Sequence, residues 1–309
     1  MKKSRKIFLF WLLFLSTCAK KALPPSPDKF APGLKEIVSK NRTTIQLLFD
    51  EEIREGSFLL FSLSETLKIK ATKIKGDKIY LTTEPQKKKR YNLYGAVTDL
   101  AGNRRWFKSH FLGSEIKDTI RPEIKEIEFI KSGLTITFNK PMDTSHLSFF
   151  VFPVKRERFQ IRWSAEWERL SLQLTDTILP SYLSFLIRPT LTDLEGNRLK
   201  RGATFQKFFD TLIVTQPQSG KVLLNEKGVE GATVILKDSI VSFALTDTNG
   251  EFKLRLKPGV YNVRAIYDAD LDGLIDFVSA TELEIPTKGP FLKLTPQKEK
   301  LKVDDFLLH

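Results

Sequence analysis

One cysteine in 309 residues rules out an intrachain disulfide, so each folded unit must be held by its own core. Histidine is almost as scarce. His110, His146 and His309 are the only three, and none stands in a motif that would make it a base or a ligand. The chain also has no Gly-x-Ser-x-Gly elbow, no phosphate loop and no His-Glu-x-x-His pair. Those gaps leave the common hydrolytic and nucleotide-dependent chemistries without their parts, and the chain is expected to be non-enzymatic. The pairs Glu51-Glu52 and Asp304-Asp305 would put successive carboxylates on opposite faces of a strand, where water solvates them. Helical periodicity over eleven or more residues is scarce, and beyond residue 15 no apolar run approaches the roughly 20 residues of a membrane helix. The body of the chain is therefore expected to be water-soluble.

The amino terminus is different. Lys2, Lys3, Arg5 and Lys6 precede the apolar run from Ile7 to Leu15, and Ser16 and Thr17 are small. A basic start, a short apolar segment and small residues make an export signal. Leu15-Ser-Thr-Cys18 resembles a bacterial lipobox, which implies that residues 1–17 are removed and that Cys18 is acylated as the first mature residue. Cleavage after Ala19 would instead leave a soluble secreted chain, and no cleavage an anchored one. The lipobox reading implies a cell-envelope location, at the outer membrane or cell surface, with the membrane as partner through lipid.

Residues 18–33 include Pro24, Pro25 and Pro27 among polar residues and are expected to form an extended tether. The formal net charge of +13 drops by four once the basic leader is removed, and the excess is spread along the chain. Lys87-Lys-Lys-Arg90 is the one dense run, expected to be a solvated loop between strands. Nucleic-acid binding is not expected, because no aromatic stacking motif accompanies the charge.

From Leu34 onwards the apolar pattern has period two. Ile45, Leu47 and Phe49 alternate with other residues, as do Leu134, Ile136 and Phe138, then Leu170, Leu172 and Leu174, then Leu183, Phe185 and Ile187. The expected fold class is all-β. A repeat supports it: Asp99-Leu-Ala-Gly-Asn103 recurs as Asp193-Leu-Glu-Gly-Asn197, and Ile45 to Asp50 recurs as Leu134 to Asn139. Both spacings are about ninety residues, the size of one sandwich, which sets two copies at 34–116 and 117–213. Asp118-Thr-Ile-Arg-Pro122 with Leu134 to Asp143 resembles the bacterial Ig-like domain of S-layer proteins and surface lipoproteins. In the first copy Asp50-Glu-Glu-Ile53 replaces the Lys-Pro-Met of that pattern, so this copy reads as diverged.

Residues 214–309 change character. Val229 to Val234, Thr246-Asp-Thr-Asn-Gly250-Glu-Phe252 and Lys257-Pro-Gly-Val-Tyr261 resemble the carboxypeptidase-regulatory or transthyretin-like sandwich, implying a structural or binding module. Asn249-Gly250 is also a hairpin signal in its own right. Asp268-Ala-Asp270-Leu-Asp272-Gly273-Leu274-Ile-Asp276 spaces oxygen ligands as a hard cation needs them, with Gly273 for the turn. The expected set is Asp268, Asp270, Asp272, the Leu274 carbonyl and Asp276, holding a weak structural calcium. The twelfth position is Ser279, where an EF-hand has glutamate, and the flanks read as strands. A solvated acidic loop is the alternative.

Trp106, Trp163 and Trp167 suit stacking on a sugar face, and Trp163 and Trp167 would share a face of one unbroken strand; the commoner role for such residues is sandwich core or cover over a sheet edge. The overall expectation is a lipid-anchored series of modules with a structural, protein-interaction or adhesion role, projecting the last module outward. A glycan-binding accessory protein is the alternative.

Overall fold

A computed structural model describes residues 28–61, 66–130, 132–175, 180–238, 240–285 and 289–308. The leader, Cys18 and the tether up to residue 27 lie outside the described residues. The fold is all-β, and the described residues form six sheets that pair face to face around three cores.

In the first sandwich, Leu34–Asn41, Thr44–Phe49, Lys78–Thr83 and Ile69–Lys75 form one sheet. Thr66–Leu67, Ile53–Phe61, Arg90–Asp99 and Arg104–Leu112 form the other. The alternation of Ile45, Leu47 and Phe49 puts all three inward against Tyr91, Leu93, Val97 and Phe111. Burying each such side chain contributes about 1.5–3 kcal/mol. Lys87, Lys88 and Lys89 lie in the loop before Arg90–Asp99, as their composition suggests.

The second sandwich repeats the plan. Phe159–Trp163, Arg169–Leu174, Gly133–Phe138 and Ile124–Ile130 face Phe149–Phe152, Tyr182–Ile187 and Ala203–Phe208. Its core joins Leu134, Ile136, Phe138, Leu170 and Leu172 to Leu183, Phe185 and Ile187. Tyr182–Ile187 is buried at all six positions. Period two accounts for three of them only, so something must cover the other face.

The third sandwich covers it. One of its sheets orders Val241–Leu245, Thr233–Lys237, Gly259–Tyr267, Phe277–Ile285 and Thr295–Pro296; the other contains Lys227–Gly228, Gln216–Leu224, Glu251–Leu256 and Phe291–Lys293. Val241–Leu245 is an edge strand, whose outward N–H groups need acceptors. Val241 N–H donates to the Tyr182 hydroxyl at 3.0 Å and Phe243 N–H to the Ser184 hydroxyl at 3.2 Å. Gln206 joins the edges of both sheets: its Nε2 donates to Ser242 Oγ, and its Oε1 accepts from Arg255 N–H. Phe150 and Leu186 then share an apolar cluster with Ile235, Val241, Phe243, Ile266, Ile275 and Val303. The last module is thus sealed against the second over an apolar face, where a series of modules projecting the last one outward was expected. The first and second sandwiches meet through ion pairs, Arg42 with Glu195 at 2.6 Å and Lys73 with Glu168 at 2.5 Å.

Burial pushes the Tyr182 phenol up to about 12, against the lowering effect of the Val241 N–H. The unfolded value is about 10, so the neutral phenol stabilises the fold fully below that pH and the contribution is lost as pH rises toward 12. Tyr182→Phe is expected to remove part of the fall in melting temperature between about pH 10 and 12. An unchanged alkaline arm would contradict this.

The repeated turns agree at atomic level. Asp99 Oδ1 accepts from Asn103 N–H at 2.7 Å, and Asp193 Oδ1 from Asn197 N–H at 2.9 Å. Gly102 and Gly196 have φ of 95° and 79°, in the region glycine enters freely. Burial opposes ionisation of Asp99, but the Asn103 side chain and the turn N–H groups outweigh it and hold the carboxyl below its ordinary range. The third sandwich carries the same device. Asp247 Oδ1 accepts from Asn249 and Glu251 N–H, with Gly250 at φ 77°. That corrects the hairpin expectation for Asn249-Gly250: the flanking strands Val241–Leu245 and Glu251–Leu256 belong to different sheets, so the turn carries the chain across the sandwich. The dipeptide fixes the local bend but not the partner strand.

Candidate metal centre

The acidic loop joins Gly259–Tyr267 to Phe277–Ile285, antiparallel neighbours. Its base is closed by Asp276 N–H on Tyr267 O at 3.0 Å. Gly273, at φ 94°, and Leu271, at φ 62°, make the bends. The carboxyl-terminal segment lines one side, with Ile275 N–H on Leu301 O and Val303 N–H on Gly273 O, both at 2.9 Å. Ile275 and Val303 enter the apolar cluster between the second and third sandwiches, so the loop is anchored at that junction.

Carboxylate oxygens of Asp268, Asp270 and Asp276 lie within 4.8 Å of one another. Asp272 is not in this group; its Oδ1 accepts from Leu274 N–H at 2.7 Å. Asp270 Oδ1 accepts from Asp272 N–H at 3.0 Å and Asp276 Oδ2 from Ala269 N–H at 2.7 Å. Three of the four carboxylates named from spacing therefore converge.

The spacing gave no sign of Arg188. This residue directly follows the buried strand Tyr182–Ile187 of the second sandwich, and its Nη2 lies 2.5 Å from Asp268 Oδ2. Both side chains are buried, at 6% and 4% exposure. Asp268 Oδ2 also accepts from Gly273 N–H, while Asp268 Oδ1, equally buried, has no hydrogen-bond partner among the described residues. Buried carboxylate oxygens without partners are rare and costly. An arginine directly after a strand rich in large apolar residues was the available signal, because buried guanidinium groups need carboxylates. Arg198 adds a second tie by donating from Nη1 to Asp270 O at 2.8 Å. Burial, then the charges of Asp276, Asp268 and Glu230, push the neighbouring Tyr267 phenol up.

A cleft of about 710 Å³ opens beside the loop and includes Arg121, Lys200 and Arg201. These cations are already engaged: Arg121 with the carbonyls of Arg198 and Leu199, Lys200 with Glu123, and Arg201 with Glu230.

Of the tryptophans, Trp163 is half-buried and stacks on Phe138 at 5.9 Å between centroids. Trp167 sits in a turn at φ 57°, so the unbroken strand expected to carry both is interrupted, and the argument that they share a face falls. Trp106 is 72% exposed on the outer face of the first sandwich, with the Arg104 guanidinium 4.8 Å above its ring. Among the described residues no helix is long and apolar enough to cross a membrane.

No protein-family model matches the chain, and no curated protein matches it in sequence. Among solved structures it is similar to native alpha-2-macroglobulin from Escherichia coli spanning domains MG0-NIE-MG1, at 12% identity and a TM-score of 0.27, covering 82% of this chain and 96% of that one. It is also similar to the S-layer protein rSbsC, at 11% identity and a TM-score of 0.26, covering 85% of this chain and 41% of that one. BcpA, the major pilin subunit of Bacillus cereus, aligns at 12% identity and a TM-score of 0.20, over 79% of this chain and 95% of that one.

Proposed function

We propose that this chain is an exported cell-envelope protein, anchored through lipid on Cys18, whose sandwiches serve a structural, protein-interaction or adhesion role without catalysis. The observation that carries this reading is the order of its parts. A basic leader, a short apolar run and Leu15-Ser-Thr-Cys18 precede a polar, proline-rich spacer, and β-sandwiches in tandem follow. In such a protein the folded faces make the contacts and the lipid fixes the location. Cell fractionation tests the anchor. The native chain is expected in the membrane fraction and Cys18→Ser in the soluble exported fraction; equal partitioning of the two would refute the reading.

The loop at Asp268, Asp270 and Asp276 is proposed to hold calcium, with the unpartnered Asp268 Oδ1 as the observation in its favour. With one carboxylate shared with Arg188 and Asp272 turned to the Leu274 N–H, affinity is expected near 10⁻⁴ to 10⁻³ M. Calorimetry of the mature chain against Asp270→Asn/Asp276→Asn reads it, and identical calcium heats from both would exclude the site.

Trp106 favours a second reading as a glycan contact. Its indole lies on the same outer face as Tyr94, Arg104 and Lys108. Retention on polysaccharide that is unchanged in Trp106→Ala would dismiss it.

A further inference from the structure

The two repeated sandwiches share one set of turn bonds and differ in the charges set inside it. In the second, Asp118 Oδ1 accepts from Ile120 N–H at 2.9 Å, and Asn197 Nδ2 bridges Asp118 O and Asp193 Oδ2 at 2.8 and 2.9 Å. Asn139 Oδ1 accepts from Glu123 N–H at 2.9 Å. The first sandwich has the same set of bonds. Asp28 Oδ1 accepts from Phe30 N–H at 3.0 Å, Asn103 Nδ2 bridges Asp28 O and Asp99 Oδ2 at 3.1 and 2.8 Å, and Asp50 Oδ1 accepts from Gly33 N–H at 2.6 Å. Asp28, Asp50, Asp99 and Asn103 therefore stand where Asp118, Asn139, Asp193 and Asn197 stand.

The residue after Asn139 is Lys140. Its ammonium lies 2.6 Å from Asp118 Oδ2, 2.7 Å from Asp193 Oδ2 and 2.8 Å from the Ile120 carbonyl, so a cation sits between the two aspartates. The residue after Asp50 is Glu51. In the first sandwich the same place receives a third carboxylate, and oxygens of Asp28, Glu51 and Asp99 lie within 4.8 Å of one another. Among the described residues no lysine, arginine or histidine forms an ion pair with any of the three.

We propose that Asp28, Glu51 and Asp99 bind a hard divalent cation, calcium, at the place that the Lys140 ammonium fills in the second sandwich. The chemistry follows from the donors. All are carboxylate oxygens, and ligands about 2.3–2.6 Å from a calcium ion are at most about 5 Å apart, which accommodates the observed spacing. Three carboxylates this close repel one another, and a bound cation offsets that repulsion. The ion would fasten the segment that leads in at Asp28 to the turn at Asp99, where the tether reaches the first sandwich.

The test uses the mature chain in detergent, with the distant loop silenced by Asp270→Asn/Asp276→Asn, and calcium chloride as probe. One calcium equivalent and a rise in melting temperature are expected. Glu51→Lys copies the second sandwich, and in this background it is expected to bind none and to melt at the same temperature with or without calcium. Glu51→Gln is expected to weaken binding at least about 10-fold, as loss of even an outer-shell partner does. Absence of calcium uptake in the silenced chain, or unchanged affinity in both Glu51 variants, would overturn the proposal. Should the silenced chain not fold, the native chain against Glu51→Lys decides: loss of one equivalent supports the site, and equal stoichiometry rejects it.

Discussion

Arg188→Leu is expected to destabilise the protein by about 3–5 kcal/mol in calcium-free denaturant unfolding. The guanidinium is buried and reaches Asp268 Oδ2 at 2.5 Å from another sandwich. Removing it leaves a buried carboxylate without its charge partner, while the second oxygen already lacks a donor among the described residues. Replacing both partners, as in Arg188→Leu/Asp268→Leu, is expected to recover much of the loss, because a buried ion pair contributes little over well-packed apolar groups. Calcium separates the two roles of the loop. If Asp268 is a ligand, millimolar calcium offsets part of the deficit of Arg188→Leu, since a second cation then faces the same carboxylate. A deficit under about 0.5 kcal/mol, the range of ordinary surface changes, would show that the pair does not hold the junction.

Leu186→Ala is expected to cost about 2–5 kcal/mol, as for other leucines in packed cores. In a sandwich standing alone this residue would face water, because Leu183, Phe185 and Ile187 take the inward face of the strand. Here it is fully buried among Phe150, Ile235, Phe243 and Ile266. The same truncation on a solvent-facing strand position changes stability by within about 0.5 kcal/mol. Urea unfolding of the mature chain therefore reads the interface directly. A small change would describe independent modules, and a large one with an unchanged denaturant slope describes a second and third sandwich that stand together.

How far the sequence could be read follows from where each determinant lies. Period-two alternation marked the strands correctly because each has one face in its own core, as Ile45, Leu47 and Phe49 have. It could not show that Tyr182–Ile187 is covered on both faces, since Tyr182 and Ser184 look like outward polar residues. Their hydroxyls accept from the edge of a sheet some sixty residues away, and that pairing has no local trace. The Asp268 loop was legible by spacing, and three of its carboxylates do converge. Asp272 does not join them because its carboxylate is used by the loop's own backbone, and Arg188 arrives from eighty residues earlier. The second acidic cluster was hidden for another reason. Glu51 was visible as the departure from the repeat, but Asp28 falls within residues read as tether, and only the matched bonds to Asn103 and Phe30 place it in the first sandwich.

The anchor at Cys18 lies outside the described residues, yet the proposed role depends on it. Intact-mass and amino-terminal peptide spectrometry of the protein purified from envelopes measures it most directly. The account predicts a chain that begins at Cys18 and carries the added mass of acyl groups. A chain that retains Met1, or one that begins at residue 18 or 20 with no added lipid, would contradict it.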